Sequence, residues 1–185
     1  MPDDPHPDRI WSGAGPYRMT WSDFGVLADR LAARIAADGF RPDVVCGVAR
    51  GGLVPAAHLA IALDVERLHV VRVRRTADDA VYAAKVEARL RVLTPGGLSG
   101  ARDVLIVDDI VGTGATAALV ESHVRSAAAG DVRLAALARN GRSGHRPDYR
   151  GVDVDDWVVF PWETADAAAR PLDLAEPVPW PAASS

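Results

Sequence analysis

Residues 104–116 read VLIVDDIVGTGAT, and this stretch decides the fold. Val104–Val107 is a continuous β-branched and aliphatic run, the pattern of a strand covered on both faces in a parallel sheet. Two adjacent carboxylates, Asp108 and Asp109, follow it. A loop of glycine and threonine, Gly112-Thr113-Gly114-Ala115-Thr116, then opens a helix expected over 115–128. The first N–H groups of a helix lack internal partners and its dipole favours an anion there. Glycines let the backbone approach that anion closely, and threonine hydroxyls add donors. A phosphate is the natural guest. A buried strand that ends in two carboxylates also calls for a ligand or a cation.

Working outward, strands and helices alternate. Thr20 or Ser22 caps a helix in which Phe24, Leu27, Leu31 and Ile35 recur at helical spacing and which Gly39 ends. Val44–Val48 is a short strand, punctuated by Gly51, Gly52 and Pro55 before the helical run LVPAAHLAIAL. Leu68–Val73 is a further strand. Val86, Ala88, Leu90 and Val92 alternate, as in a hairpin arm exposed on one side. Val132–Ala138 is again a strand. Repeated βαβ units predict an α/β fold, a parallel twisted sheet flanked by helices on both faces. Ligands then bind beyond the carboxyl ends of the strands. Three such ends carry unusual residues here: Ala49-Arg50-Gly51-Gly52, Asp108-Asp109 and Arg139-Asn140-Gly141.

The composition is that of an ordinary globule: 185 residues, 49% hydrophobic, 25% charged, net charge −4. The acidic balance and the lack of a dense basic patch argue against nucleic acid as a partner. The single cysteine, Cys46, lies in the apolar run VVCGV, which excludes an internal disulfide and suits a reducing compartment. No segment reaches the roughly 18 apolar residues of a membrane span, and the first residues, MPDDPHPD, are polar. The expectation is a cytoplasmic protein with no membrane partner. The five histidines show no metal-binding spacing.

Three kinds of phosphate loop compete for residues 112–116. A P-loop needs Gly-Lys-Ser/Thr, and no lysine is near. GTGATA matches the dinucleotide-binding pattern, but Asp131 precedes the next strand instead of ending it, and neither pattern explains Asp108-Asp109. The arrangement of four apolar residues, two acids, two apolar residues and a Gly/Thr loop resembles the signature of the type I phosphoribosyltransferases, departing from it at one position. GVARGGLVP (47–55) is similar to the diphosphate loop of the xanthine-guanine (6-oxopurine) branch, and WVVFPWE (157–163) is similar to that branch's base-binding hood.

The resemblance implies the type I phosphoribosyltransferase fold with a small C-terminal hood, and transfer of 5-phosphoribosyl from Mg-phosphoribosyl pyrophosphate (PRPP) to a ring nitrogen of a purine-like base. It gives Asp108 and Asp109 the ribose hydroxyls and Mg2+, and Gly112, Thr113, Gly114, Ala115 and Thr116 the 5′-phosphate. Arg50, Gly51 and Gly52 would face the leaving diphosphate. Trp157 would stack on the base, the main chain at Val158 would read its edge, Val111 would line the ring, and Arg139 would meet the 6-oxo group. A segment within 75–99 would close over the site, and the family's habit is a homodimer. The implied division is 1–16 as a loose N-terminal tail, 17–146 as the PRPP-binding core, and 147–185 as hood and C-terminal tail.

Gly112 is the departure, since the 6-oxopurine enzymes usually carry an aspartate there, facing N7 of the base. Three readings follow: a purine enzyme that manages without the acid; an enzyme for a 7-deazapurine such as preQ0, to which glycine gives room; and a catalytically weak regulator that senses PRPP or nucleotides.

Overall fold

The computed structural model describes residues 10–76, 85–163, 170–172 and 174. Why the chain takes up each element is visible locally. Thr20 forms a capping box with Asp23: its hydroxyl accepts from the Asp23 N–H at 3.1 Å, and the Asp23 carboxylate accepts from the Thr20 N–H at 2.8 Å. This starts α1 (Trp21–Ala37), whose buried face carries Phe24, Leu27, Leu31 and Ile35, the residues expected from their spacing. Gly39, at φ +74°, lets the chain leave the helix.

β2 (Val44–Ala49) and α2 (Leu53–Ala62) follow. Next come β3 (Leu68–Thr76), β4 (Lys85–Val92), β5 (Val104–Val111), α3 (Ala115–Arg125) and β6 (Val132–Asn140). With β7 (Tyr149–Val154), the strands form one six-stranded sheet in the order β4-β3-β2-β5-β6-β7. Every pairing in it is parallel except β3 with β4. The sheet is therefore the α/β architecture expected. α1 and α2 cover one face, with Leu27, Leu31, Leu59, Leu105 and Leu137 in their core. α3 covers the other, packing Val120 and Val124 against Val44, Ile106 and Leu134.

Several boundaries differ from the sequence reading. The strand expected over Val104–Val107 runs on to Val111, because the ladder to β6 continues through Asp108↔Ala136 and Val111↔Arg139. β3 and β6 are likewise longer, and α3 ends at Arg125. Tyr149–Val154, placed with the hood, is instead the edge strand of the main sheet. Its Tyr149 is fully buried and donates its hydroxyl to Asp38 at 2.8 Å while accepting from Arg133 at 2.7 Å, which fastens the end of α1 to β6 and β7.

The hood is a separate three-stranded sheet of β1 (Tyr17–Arg18), β8 (Val158–Val159) and β9 (Arg170–Pro171), in the order β8-β1-β9. It is thus built from both ends of the chain. Of the tail expected to be loose over 1–16, residues 1–9 lie outside the described residues, and 10–16 lie against the hood. Ser12 donates its N–H to the Asp155 carbonyl at 2.8 Å, and the fully buried Asp156 carboxylate accepts from the Ser12 hydroxyl at 3.0 Å and the Gly15 N–H at 3.2 Å. Part of the segment expected to close over the site, residues 77–84, also lies outside the described residues. Among the described residues no helix is long and apolar enough to cross a membrane.

Candidate active site

Neighbouring strands bring the expected groups together. β2 and β5 pair in register with Gly47 opposite Val107, so the segments that leave their carboxyl ends are side by side. The contact is close: a Cβ on Gly52 would lie 2.7 Å from the Val107 carbonyl and 2.9 Å from the Asp108 Cα. A Cβ on Gly51 would fall on the Asp109 carboxylate. Only glycines let the Arg50-Gly51-Gly52 turn approach the acid pair this closely. Arg50, the residue after a cis Ala49–Arg50 peptide bond, is exposed.

Asp108 is buried and Asp109 half-buried. Asp108 accepts from the Asp109 N–H at 3.0 Å, and Asp109 from the Ile110 N–H at 2.8 Å. Burial, reinforced by the charge of Asp109, raises the Asp108 carboxyl well above its ordinary range. Burial likewise pushes Asp109 up to about 6, with hydrogen bonds from Asp108 and Ile110 opposing it and the Glu163 charge adding to it. Two acids desolvated together favour a cation between or beside them. Glu163, the last residue of WVVFPWE and given no role of its own in the sequence reading, lies close enough for its charge to act on Asp109. Its carboxylate accepts from the Phe160 N–H at 3.0 Å and feels the Arg50 charge.

The loop after β5 reaches α3 through Gly114, which caps the helix at φ +86° with no side-chain hydrogen bond. The helix thus starts without a side-chain cap from its N-cap residue, an arrangement compatible with an anion at its N-terminus. A Cβ on Gly114 would strike His145, whose Nε2 lies 2.9 Å from Glu121 on α3. The segment after β6 thus walls this loop.

Val111 sits opposite Arg139 on β6. Arg139 is buried and donates from Nε to Asp153 on β7 at 2.8 Å, so it is a held side chain and not a solvated one. Asn140, fully buried, donates to the Ile10 carbonyl at 3.2 Å. In the hood, Tyr17 donates to the Trp157 carbonyl at 2.7 Å and Met19 to the Val159 carbonyl at 3.0 Å. The alternation of a parallel ladder turns the N–H and C=O of Val158 the other way, toward the open edge of β8.

Trp157 is half-buried, and Trp11 meets it edge-on with ring centroids 5.5 Å apart. The room expected beside Gly112 is taken by the same indole. A Cβ there would lie 3.1 Å from Trp11 Cζ2 and 3.3 Å from Cη2. Cys46, by contrast, plays no part: burial pushes its thiol up to about 12. No cluster of three or more His, Cys, Asp and Glu side chains that could hold a metal ion appears among the described residues.

Comparison with known proteins agrees with this geometry. Residues 20–169 match the phosphoribosyl transferase domain family. The xanthine-guanine phosphoribosyltransferase of Desulfotalea psychrophila is 27% identical over 156 residues, 84% of this chain and 91% of that one. The crystal structure of a purine phosphoribosyltransferase from Pyrococcus horikoshii Ot3 is 29% identical, superposes with a TM-score of 0.66, and covers 83% of this chain and 97% of its own. The Helicobacter pylori xanthine-guanine-hypoxanthine phosphoribosyltransferase, at 17% identity and a TM-score of 0.67 over 80% of this chain and 92% of that one, shares the fold. The chain therefore belongs to the phosphoribosyl transferase family and is a type I phosphoribosyltransferase close to the xanthine-guanine branch.

Proposed function

We propose that the protein transfers the 5-phosphoribosyl group of Mg-PRPP to a ring nitrogen of a purine-like base and releases diphosphate. The observation that carries this reading is the convergence of Arg50–Gly52, Asp108-Asp109 and the 112–116 loop at adjoining strand ends. The names of the relatives support the purine class.

The donor set fits magnesium. Asp108 and Asp109 offer only carboxylate oxygens, the ligands of a hard cation, and burial raises the proton affinity of both. Bound there, Mg2+ would neutralise charge on the diphosphate as it departs. The chain's own groups do the rest. Donors at the start of α3 hold the 5′-phosphate, and Asp108 and Asp109 accept from the ribose hydroxyls. Arg50 and the Gly51 and Gly52 N–H groups hold the diphosphate, which leaves with the electrons of the C1–O bond. Trp157 stacks on the base, Val111 lines its ring, Val158 reads its edge, and Arg139, oriented by Asp153, donates to the 6-oxo group. The base nitrogen then captures C1 with inversion. Positioning and electrostatics carry such a reaction, so a missing loop acid does not prevent it. A cytoplasmic location, expected from the composition, and a homodimer, expected from the family resemblance, belong to this proposal.

Gly112 favours a narrower second reading. With no carboxylate to accept from a ring N–H at position 7, a 7-deazapurine loses nothing that a purine gains. The experiment is diphosphate release from Mg-PRPP with guanine, xanthine, hypoxanthine, adenine, 7-deazaguanine and preQ0. A 6-oxopurine turned over fastest supports the main reading, and a 7-deazapurine turned over fastest supports the narrower one. PRPP binding with no turnover of any base would replace both with a nucleotide-sensing role.

A further inference from the structure

The N-terminal segment bears on the base site in a way the family resemblance does not foresee. Trp11 touches both walls between which a base would lie, Gly112 at the end of β5 and Trp157 at the start of β8. It is not a surface ring that happens to rest there. Its neighbours on either side are held by two fully buried polar side chains, Asn140 through the Ile10 carbonyl and Asp156 through the Ser12 hydroxyl. The Ser12 N–H is anchored as well, on the Asp155 carbonyl. Buried polar groups placed to receive a loop's backbone define its position, because leaving them unpaired is costly.

From this we infer that Trp11 is a specificity-determining residue, a fixed apolar wall on the side of the base that an acid at position 112 would otherwise read. The inference rests on the reading that a purine-like base binds between residues 110–112 and Trp157. Its chemistry follows from the atoms presented. The edge facing Gly112 is Cζ2 and Cη2, carbon with hydrogens and no polar group. An indole standing where an acidic side chain at 112 would lie leaves an N–H at position 7 without that carboxylate acceptor. The indole also fills the space beside Gly112, where even a Cβ on that residue would lie 3.1 Å and 3.3 Å from it, so a substituent at position 7 pointing that way would meet the ring. The wall therefore favours a ring bare at position 7 and rejects one carrying a nitrile. It also explains the glycine, since an aspartate at 112 would have to displace the indole.

The test compares wild type with Trp11→Ala, Gly112→Asp and the double variant. Steady-state constants are measured for guanine, 7-deazaguanine, preQ0 and PRPP. Calorimetric binding of GMP and of ribose 5-phosphate provides a readout independent of turnover. Trp11→Ala should raise the KM for guanine and weaken GMP about ten-fold, the size of one lost aromatic contact. It should leave ribose 5-phosphate binding and the PRPP KM within about two-fold, and should raise the preQ0-to-guanine ratio of kcat/KM. Gly112→Asp alone should impair every base, and adding Trp11→Ala should restore guanine above that single variant. Unchanged base constants in Trp11→Ala, or additive effects in the double variant, would overturn the inference. So would a KM that falls for all bases, since Trp11 would then be a plug and not a wall. A wild type that binds GMP without turning over any base would sink the proposed activity and leave the wall standing. One that binds neither GMP nor any base would sink both.

Discussion

Replacing Asp109 with asparagine should make the protein more stable and less active. The carboxyl is pushed up to about 6 from an ordinary value of 3.8, chiefly by burial. Each pKa unit corresponds to about 1.4 kcal/mol, so holding Asp109 ionised at pH 7 costs the folded state about 2–3 kcal/mol. Asparagine is nearly the same shape. Its oxygen can keep the 2.8 Å hydrogen bond from the Ile110 N–H, and its amide can donate to Asp108. For a chain of this size about 2 kcal/mol corresponds to roughly 4–8 °C in Tm. The sign follows from proton binding. Between pH 3.8 and about 6 the folded state holds a proton that the unfolded chain has lost, so the wild type loses stability as pH rises through that window. The advantage of Asp109→Asn should therefore be full above pH 6 and should vanish near pH 4. Differential scanning calorimetry of both proteins at several pH values measures this directly. Magnesium with diphosphate should narrow the gap at pH 7 by stabilising only the wild type. A variant less stable at pH 7, or a Tm difference that ignores pH, would refute the electrostatic account of the acid pair.

Other substitutions probe the scaffold around it. Gly51→Ala places a Cβ on the Asp109 carboxylate; a misplaced acid should lower kcat/KM for PRPP by about a hundred-fold while circular dichroism stays native. Gly151→Ala would bring a Cβ to 2.6 Å from the Leu137 carbonyl and 3.1 Å from Leu27, so α1 must shift off β7. Denaturant titration should show a loss of about 1–3 kcal/mol. Tyr149→Phe removes the hydroxyl between Asp38 and Arg133. Those two groups still pair with each other, so the loss should be about 1 kcal/mol, read as a Tm lower by roughly 2–4 °C.

How far the sequence foretold all this depends on how local each signal is. VLIVDDIVGTGAT is contiguous, and the chemistry of binding a phosphate beside two acids fixes residue types at successive positions, so β5, its loop and α3 were legible together. The extent of β5 was not, because Asp108 and Asp109 interrupt the apolar pattern while the backbone ladder to β6 continues beneath them. β7 was missed because YRGVDV buries only Tyr149, Val152 and Val154, and its partner strand lies beyond a polar loop. The two-residue strands of the hood carry no periodicity at all. Tyr17 finds Val158 only through the tertiary fold. Trp11 is the extreme case: a lone aromatic in a segment of Pro, Ser and Gly, held by Asn140 and Asp156 more than a hundred residues away. Arg139 was placed at the right strand end, but its tie to Asp153 was invisible without β7.

The most direct test of the central claim is diphosphate release from Mg-PRPP, with and without guanine, by the wild type and by Asp108→Asn. The account predicts release that requires both substrates and falls about a hundred-fold or more in a variant that remains folded. Release that is absent with the wild type, or that survives Asp108→Asn undiminished, would contradict it.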